Sequence, residues 1–147
     1  MHAGLKWFCA WMGLLVIGSA VPAVAGEEAP NDGVFIHLSS GLEEPHRVLM
    51  ALSMATIMSE SKDVLIYCDI KGIEICLADA PDLTYAQFTP LKEALAGLLE
   101  RGVTVMACPG CLKAAGKTAD DLAEGIQVAN KDQFFDFTAG RILSLDY

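Results

Sequence analysis

From residue 33 onward the chain alternates short apolar runs with longer stretches of helical spacing. The runs are Val34–Leu38 (VFIHL), Val64–Cys68 (VLIYC), Val103–Ala107 (VTVMA) and Arg141–Leu145 (RILSL). The first three are rich in β-branched residues and nearly continuous in hydrophobicity, as strands buried on both faces are. The fourth alternates enough to lie at or near a sheet edge. Between the first two runs, Pro45–Ser59 predicts a helix with proline in its first turn. Its stretch from Val48 to Met58 is apolar nearly all round, with Met50, Met54 and Met58 on one line and Leu52, Ala55 and Ser59 on another. A surface helix shows a polar face, so the pattern predicts cover on two sides, by the sheet and by another subunit. Residues 72–89 read as a long loop holding a short helix. Thr89-Pro90 opens an amphipathic helix with Leu91, Leu95, Leu98 and Leu99 as its stripe and Gly102 at its end. Thr118 with Asp120 and Asp121 predicts a further capped helix, and Lys131–Phe137 a short helix or turn.

Strand, helix, strand, helix, strand, helix, strand is a parallel α/β pattern. It predicts a single-domain α/β/α sandwich with a mostly parallel central sheet of four or five strands. Right-handed crossovers bring the strand ends to one edge, carrying Ser39, Cys68 and Cys108 with them.

The first 25 residues have a different character. One charge, Lys6, precedes an apolar stretch from Trp7 to Val21, and Ala23-Val24-Ala25 forms a small-residue cleavage site. This is the build of a secretory signal peptide, which predicts a periplasmic or secreted protein and no membrane span after cleavage. Residues 26–32 then read as a flexible leader and residues 33–147 as the domain. The formal net charge is −9, with the acids spread along the chain. No basic footprint for nucleic acid is present. No Walker loop, dinucleotide fingerprint or nucleophile elbow appears either, so no cofactor is expected.

Four cysteines remain beyond the leader: Cys68, Cys76, Cys108 and Cys111. Cys108-Pro109-Gly110-Cys111 stands where a strand gives way to a helix, and amides at a helix start favour thiolate over thiol. Such a thiolate attacks a disulfide or persulfide sulfur, and a neighbouring thiol resolves the adduct. The same spacing fits a structural disulfide or half a zinc site. It does not fit c-type haem attachment, since Leu112 stands where histidine is needed. Cys68 and Cys76 read as a bridge, as buried apolar residues, or as the other half of a four-thiolate zinc set. The Ser39-Ser40-Gly41 turn before the first helix offers backbone amides to an anion, and His46 beside it offers a side chain that titrates near neutrality. His37, inside a strand, reads as a core or interface residue.

Several phrases taken in order resemble the DsrE/DsrF-like family: Gly33–Gly41 (GVFIHLSSG), Val64–Gly72 (VLIYCDIKG), Val103–Leu112 with its cysteine, and Arg141–Tyr147 (RILSLDY). The resemblance implies a small α/β sandwich that assembles into dimers, trimers or hexamers. It also implies a sulfur-relay role, a carrier rather than a stand-alone enzyme, with persulfide sulfur held on the cysteine that follows a central strand. Cys108 occupies that position, Cys111 adds a second thiol, and the partners implied are a protein sulfur donor and acceptor or a small sulfur species. The alternative is a non-catalytic oligomeric scaffold whose cysteines are bridged or bind zinc.

Overall fold

The structure is a computed structural model and describes residues 29–147. The segment expected to be a signal peptide, residues 1–25, lies outside the described residues. Five strands form one parallel sheet: β1 (Gly33–Leu38), β2 (Asp63–Cys68), β3 (Thr104–Ala107), β4 (Gln127–Val128) and β5 (Ile142–Asp146), in the order β4-β3-β2-β1-β5. This is the α/β class that the strand–helix alternation predicts.

The order dictates the layers. The chain steps one way from β1 to β4, so right-handed crossovers place α1 (Pro45–Met58) and α2 (Leu91–Glu100) on a common face. The return from β4 to β5 runs the other way and crosses the opposite face, carrying α4 (Gln133–Asp136). Strand parity sorts the side chains between the two faces. Val34, Ile36 and Leu38 join Val64, Ile66, Cys68, Val105 and Ala107 in the main core under α1 and α2. Phe35, His37, Leu65, Tyr67 and Met106 point the other way, where among the described residues only α4 and its flanking segments lie over them. The layers are therefore unequal.

α1 buries Val48, Leu49, Ala51, Leu52 and Ala55. Part of its second cover is α2, the neighbour it packs against, while Met50 and Ile57 face solvent. α2 buries Leu91, Leu95 and Leu98 and ends at Gly102, whose φ of +80° is the left-handed stop that glycine supplies.

One sequence expectation needs correction. The helix expected from Thr118 is a single 3-10 turn, Ala119–Asp121. Its capping box forms, but the following backbone is taken by pairing with the 76–78 segment: Ala123 N–H donates to Cys76, and Leu77 bridges Leu122. β4 carries too few residues to show a strand period. The end of the expected flexible leader is pinned: Arg141 holds Asp32 through a two-pronged ion pair (Nη2–Oδ2 2.7 Å), and the Thr138 hydroxyl donates to the Asn31 carbonyl.

Candidate functional site

Pro109 shapes the local backbone around the first thiol. A residue before proline is driven to extended conformation, and Cys108 has φ −62° and ψ 120°. Proline then suits the first position of α3 (Pro109–Ala114). Cys108 is thereby the N-cap residue, the position whose side chain faces the amides two and three residues on. Those amides belong to Gly110 and Cys111. A Cβ placed on Gly110 would stand 3.8 Å from the Cys108 sulfur, so the turn is wrapped closely about it.

Cys108 is partly exposed. Burial opposes its ionisation and is the largest single influence. The Tyr67 hydroxyl, the Cys111 amide and thiol, and the Gly110 amide together outweigh burial and hold the thiol below the ordinary cysteine range. None of these closes a side-chain cap hydrogen bond in the structure. They are donors turned toward the sulfur, and hydrogen bonds to a charged acceptor are shorter and stronger than to a neutral one. The Tyr67 phenol is raised well above its usual range, first by burial and then by facing Cys108.

Cys111 is shifted in the opposite direction. Burial raises it, and the neighbouring Cys108 and Asp69 add to that, against the Ile70 amide, which donates to its sulfur at 3.1 Å. Ile70 has φ +47°, an unfavourable conformation for a β-branched residue. That backbone strain accompanies the placing of an amide on Cys111.

Beyond the thiols, His37 joins the ends of three strands. Its Nε2 stands 2.9 Å from Asp69 and its Nδ1 2.8 Å from Asp146. Ionised carboxylates only accept, so both contacts are made when both ring nitrogens carry protons. Burial opposes the charge, yet the bonds to Asp146 and Asp69 win and His37 is raised above the ordinary histidine value. Its ring also stacks on Tyr67, with centroids 6.1 Å apart.

The other expected site residues lie elsewhere. Ser39 and Ser40 amides donate to the Tyr147 main-chain oxygen, as does the Ser39 hydroxyl. The Ser40 hydroxyl donates to Glu44, and Leu42 N–H to Glu74. A Cβ on Gly41 would meet the Glu74 carboxylate at 2.6 Å. The Ser39 and Ser40 donors are thus already engaged by the chain's own oxygens. His46 stacks on Tyr85 (4.6 Å, 17°) and leans on Phe88 rather than facing a thiol. Cys68 and Cys76 are free and fully buried in the core; contact with Cys76, then burial, keeps the Cys68 thiol well above its usual range. The four-thiolate zinc set is not assembled: parity turns Cys68 into the core, away from Cys108 and Cys111. Among the described residues no group of three or more His, Cys, Asp or Glu could hold a metal ion.

Sequence reasoning overlooked Tyr67, Asp69, Asp146 and the role of His37. For Tyr67 the signal was present. It precedes Cys68 in β2, so period two sends it to the face opposite the core.

Comparison with known proteins settles the family. The model of the DsrE/DsrF-like family matches residues 32–140. The chain belongs to the DsrE/DsrF-like family. No curated protein matches it. Two solved structures share the fold of this DsrE/DsrF-like chain. The protein of unknown function MTH1491 from Methanobacterium thermoautotrophicum is 18% identical, with a TM-score of 0.56. The ychN protein from E. coli is 13% identical, also with a TM-score of 0.56. Each match covers 78% of this chain and 99% of the other.

Proposed function

We propose that this DsrE/DsrF-like protein is an exported carrier that accepts and passes on sulfane sulfur at Cys108. The observation that carries the reading is the placement of a partly exposed Cys108 at the start of α3, beside Tyr67 and the second thiol Cys111, a setting that lowers Cys108 and raises Cys111. Groups whose environments drive their acidities apart are suited to different roles. The Cys108 thiolate attacks the outer sulfur of a persulfide R–S–SH. A sulfur–sulfur bond forms on Cys108, the old one breaks, and R–S⁻ leaves, with no net oxidation. Cys111, kept as a thiol, donates toward the Cys108 sulfur. It is also the resolving group: attack by Cys111 on the loaded Cys108 gives the Cys108–Cys111 disulfide and releases sulfide, after which a dithiol reductant must restore both thiols. Keeping Cys111 protonated slows that release and favours carriage.

The test is direct. Reduced protein is treated with inorganic polysulfide, digested and examined by mass spectrometry. The Cys108 peptide is expected to gain sulfur, and the Cys108→Ser variant to gain none there. No gain on a free Cys108 would sink the carrier reading in favour of a non-catalytic scaffold.

We also propose that the protein works as a homo-oligomer. Met50 and Ile57 on α1, and Ile142 and Leu143 on edge strand β5, are 37–54% exposed, and apolar surface of this kind marks association sites. A monomer in size-exclusion chromatography at micromolar concentration would contradict this. Export rests on residues 1–25, and N-terminal sequencing of the mature protein checks it. Among the described residues no helix is long and apolar enough to cross a membrane.

A further inference from the structure

The thinly covered face of the sheet opens beside Cys108 into a cleft of ≈ 490 Å³. Tyr67, Pro109, Phe134 and Phe135 form its apolar walls, and Cys108 is itself part of the lining. Phe134 is held edge-on to Tyr67, with centroids 4.9 Å apart, and leans on Phe35 at 5.9 Å, so this wall is braced from the sheet. Phe135 is 76% exposed. Small-molecule sites are typically clefts of this size, mostly apolar and aromatic, with a few polar groups that fix orientation. Besides the Tyr67 hydroxyl, two polar side chains are present, Asn130 and Lys131. Lys131 is the one charged residue of the lining and makes no ion pair among the described residues. The acids Asp132 and Asp136 of the same segment do not line the cleft. Neither the groove between α1 and α2 nor the one beside Arg141 and Ile142 contains a thiol.

We propose that the compound exchanging sulfur with Cys108 is a small organic persulfide or disulfide with a flat apolar body and an anionic end. Its body lies against Phe134, Phe135 and Pro109, its anionic end reaches Lys131, and its sulfur–sulfur bond meets Cys108. The inference rests on the reading of Cys108 as the exchanging nucleophile and adds the substrate class. For a disulfide R–S–S–R′, the Cys108 thiolate forms Cys108–S–S–R and R′–S⁻ departs with the electron pair of the broken bond. For a persulfide the terminal sulfur moves to Cys108 and the organic thiolate departs. An aryl thiolate is a good leaving group because its conjugate acid is comparatively strong. Inorganic sulfide or polysulfide would make no use of the aromatic wall.

The experiment compares three disulfides on the reduced full chain: 5,5′-dithiobis(2-nitrobenzoate), which is aryl and anionic; 2,2′-dithiodipyridine, aryl and neutral; and hydroxyethyl disulfide, small and neutral. Each rate is divided by its rate with a cysteine model peptide, and mass spectrometry assigns the modified residue. The normalised rate at Cys108 is expected to be about fivefold higher for the anionic aryl disulfide than for hydroxyethyl disulfide, since an aromatic contact contributes about 1 kcal/mol. Its rate is expected to saturate with concentration, as binding before reaction requires. Phe135→Ala, at an exposed position that the fold does not depend on, is expected to lower the advantage of both aryl reagents. Lys131→Gln is expected to lower only that of the anionic one. Equal normalised rates for all three, with Cys108 still alkylated by iodoacetamide faster than the model peptide, would overturn this inference and leave the carrier reading standing. A Cys108 no faster than the model peptide with any reagent, iodoacetamide included, would overturn both. A preference unaffected by either substitution would place the selectivity outside the cleft and overturn the inference alone.

Discussion

Replacing Tyr67 by phenylalanine removes one oxygen and leaves the ring packed against Phe35 and Phe134. The hydroxyl is the foremost of the groups that lower Cys108. A hydrogen bond to a charged group contributes about 1.5–3 kcal/mol. The low end applies here, because the contact is open in the resting structure and the cleft admits water. At a pH where Cys108 is mostly protonated, a loss of about 1.5 kcal/mol reduces the thiolate population about tenfold. The rate falls less than the population, because a more basic thiolate is a better nucleophile, with a Brønsted slope of about 0.4–0.5. The net expectation is about a fourfold slower alkylation at fixed pH, with the midpoint of the pH–rate profile moved upward. The assay is iodoacetamide alkylation followed across pH, with peptide mapping to separate Cys108 from Cys111 and circular dichroism to confirm the fold. A midpoint that stays in place or moves down in folded Tyr67→Phe protein would refute the assignment of Tyr67 as a stabiliser of the Cys108 anion.

Cys111→Ser keeps a hydroxyl donor beside Cys108 but cannot form the disulfide; loaded Cys108 should hold its sulfur longer and release less sulfide, measured by sulfide release after polysulfide loading. Gly72→Ala drives a Cβ into the Leu38 carbonyl, and overpacking of this kind costs about 1–3 kcal/mol, read as a lower midpoint in urea at unchanged slope. His37 is raised, so its charged form stabilises the fold below the ordinary histidine range, and that contribution is lost as pH rises through its raised pKa. Thermal melts from about pH 5 to pH 9 should show this loss in the wild type and not in His37→Gln. Asp32 is held down to about 2, chiefly by the Arg141 side chain. Its contribution is present above the ordinary carboxylate range and is lost as pH falls through about 2. Arg141→Gln should return the Asp32 titration toward the ordinary range, as followed by NMR.

The sequence by itself determined the class of fold, the positions of β1, α1, β2, α2 and β3, and the thiol at the end of β3. These are local properties. Continuous β-branched runs, an i, i+4 leucine stripe and a glycine stop each express their own backbone preference, and the Pro109 that follows Cys108 fixes the cysteine's conformation wherever it lies. The Thr118 segment shows the limit, since its capping signal is obeyed for one turn before non-local pairing with residues 76–78 takes the backbone. Tertiary structure alone decided which groups meet. Asp69 and Asp146 are separated by most of the domain, and they share His37 because β1 lies between β2 and β5. Strand order likewise separated the cysteines: parity buried Cys68 with Cys76, and left Cys108 facing Tyr67 across adjacent strands. The opposed acidity of Cys108 and Cys111 arises from burial, from Tyr67, and within Cys-Pro-Gly-Cys from the Gly110 and Cys111 amides and the facing thiols, while the strained Ile70 amide works against it; burial and Tyr67 are the parts that the local spacing does not encode. The same topology sends the β4–β5 crossover over the second face, and so places Phe134, Phe135 and Lys131 beside Cys108.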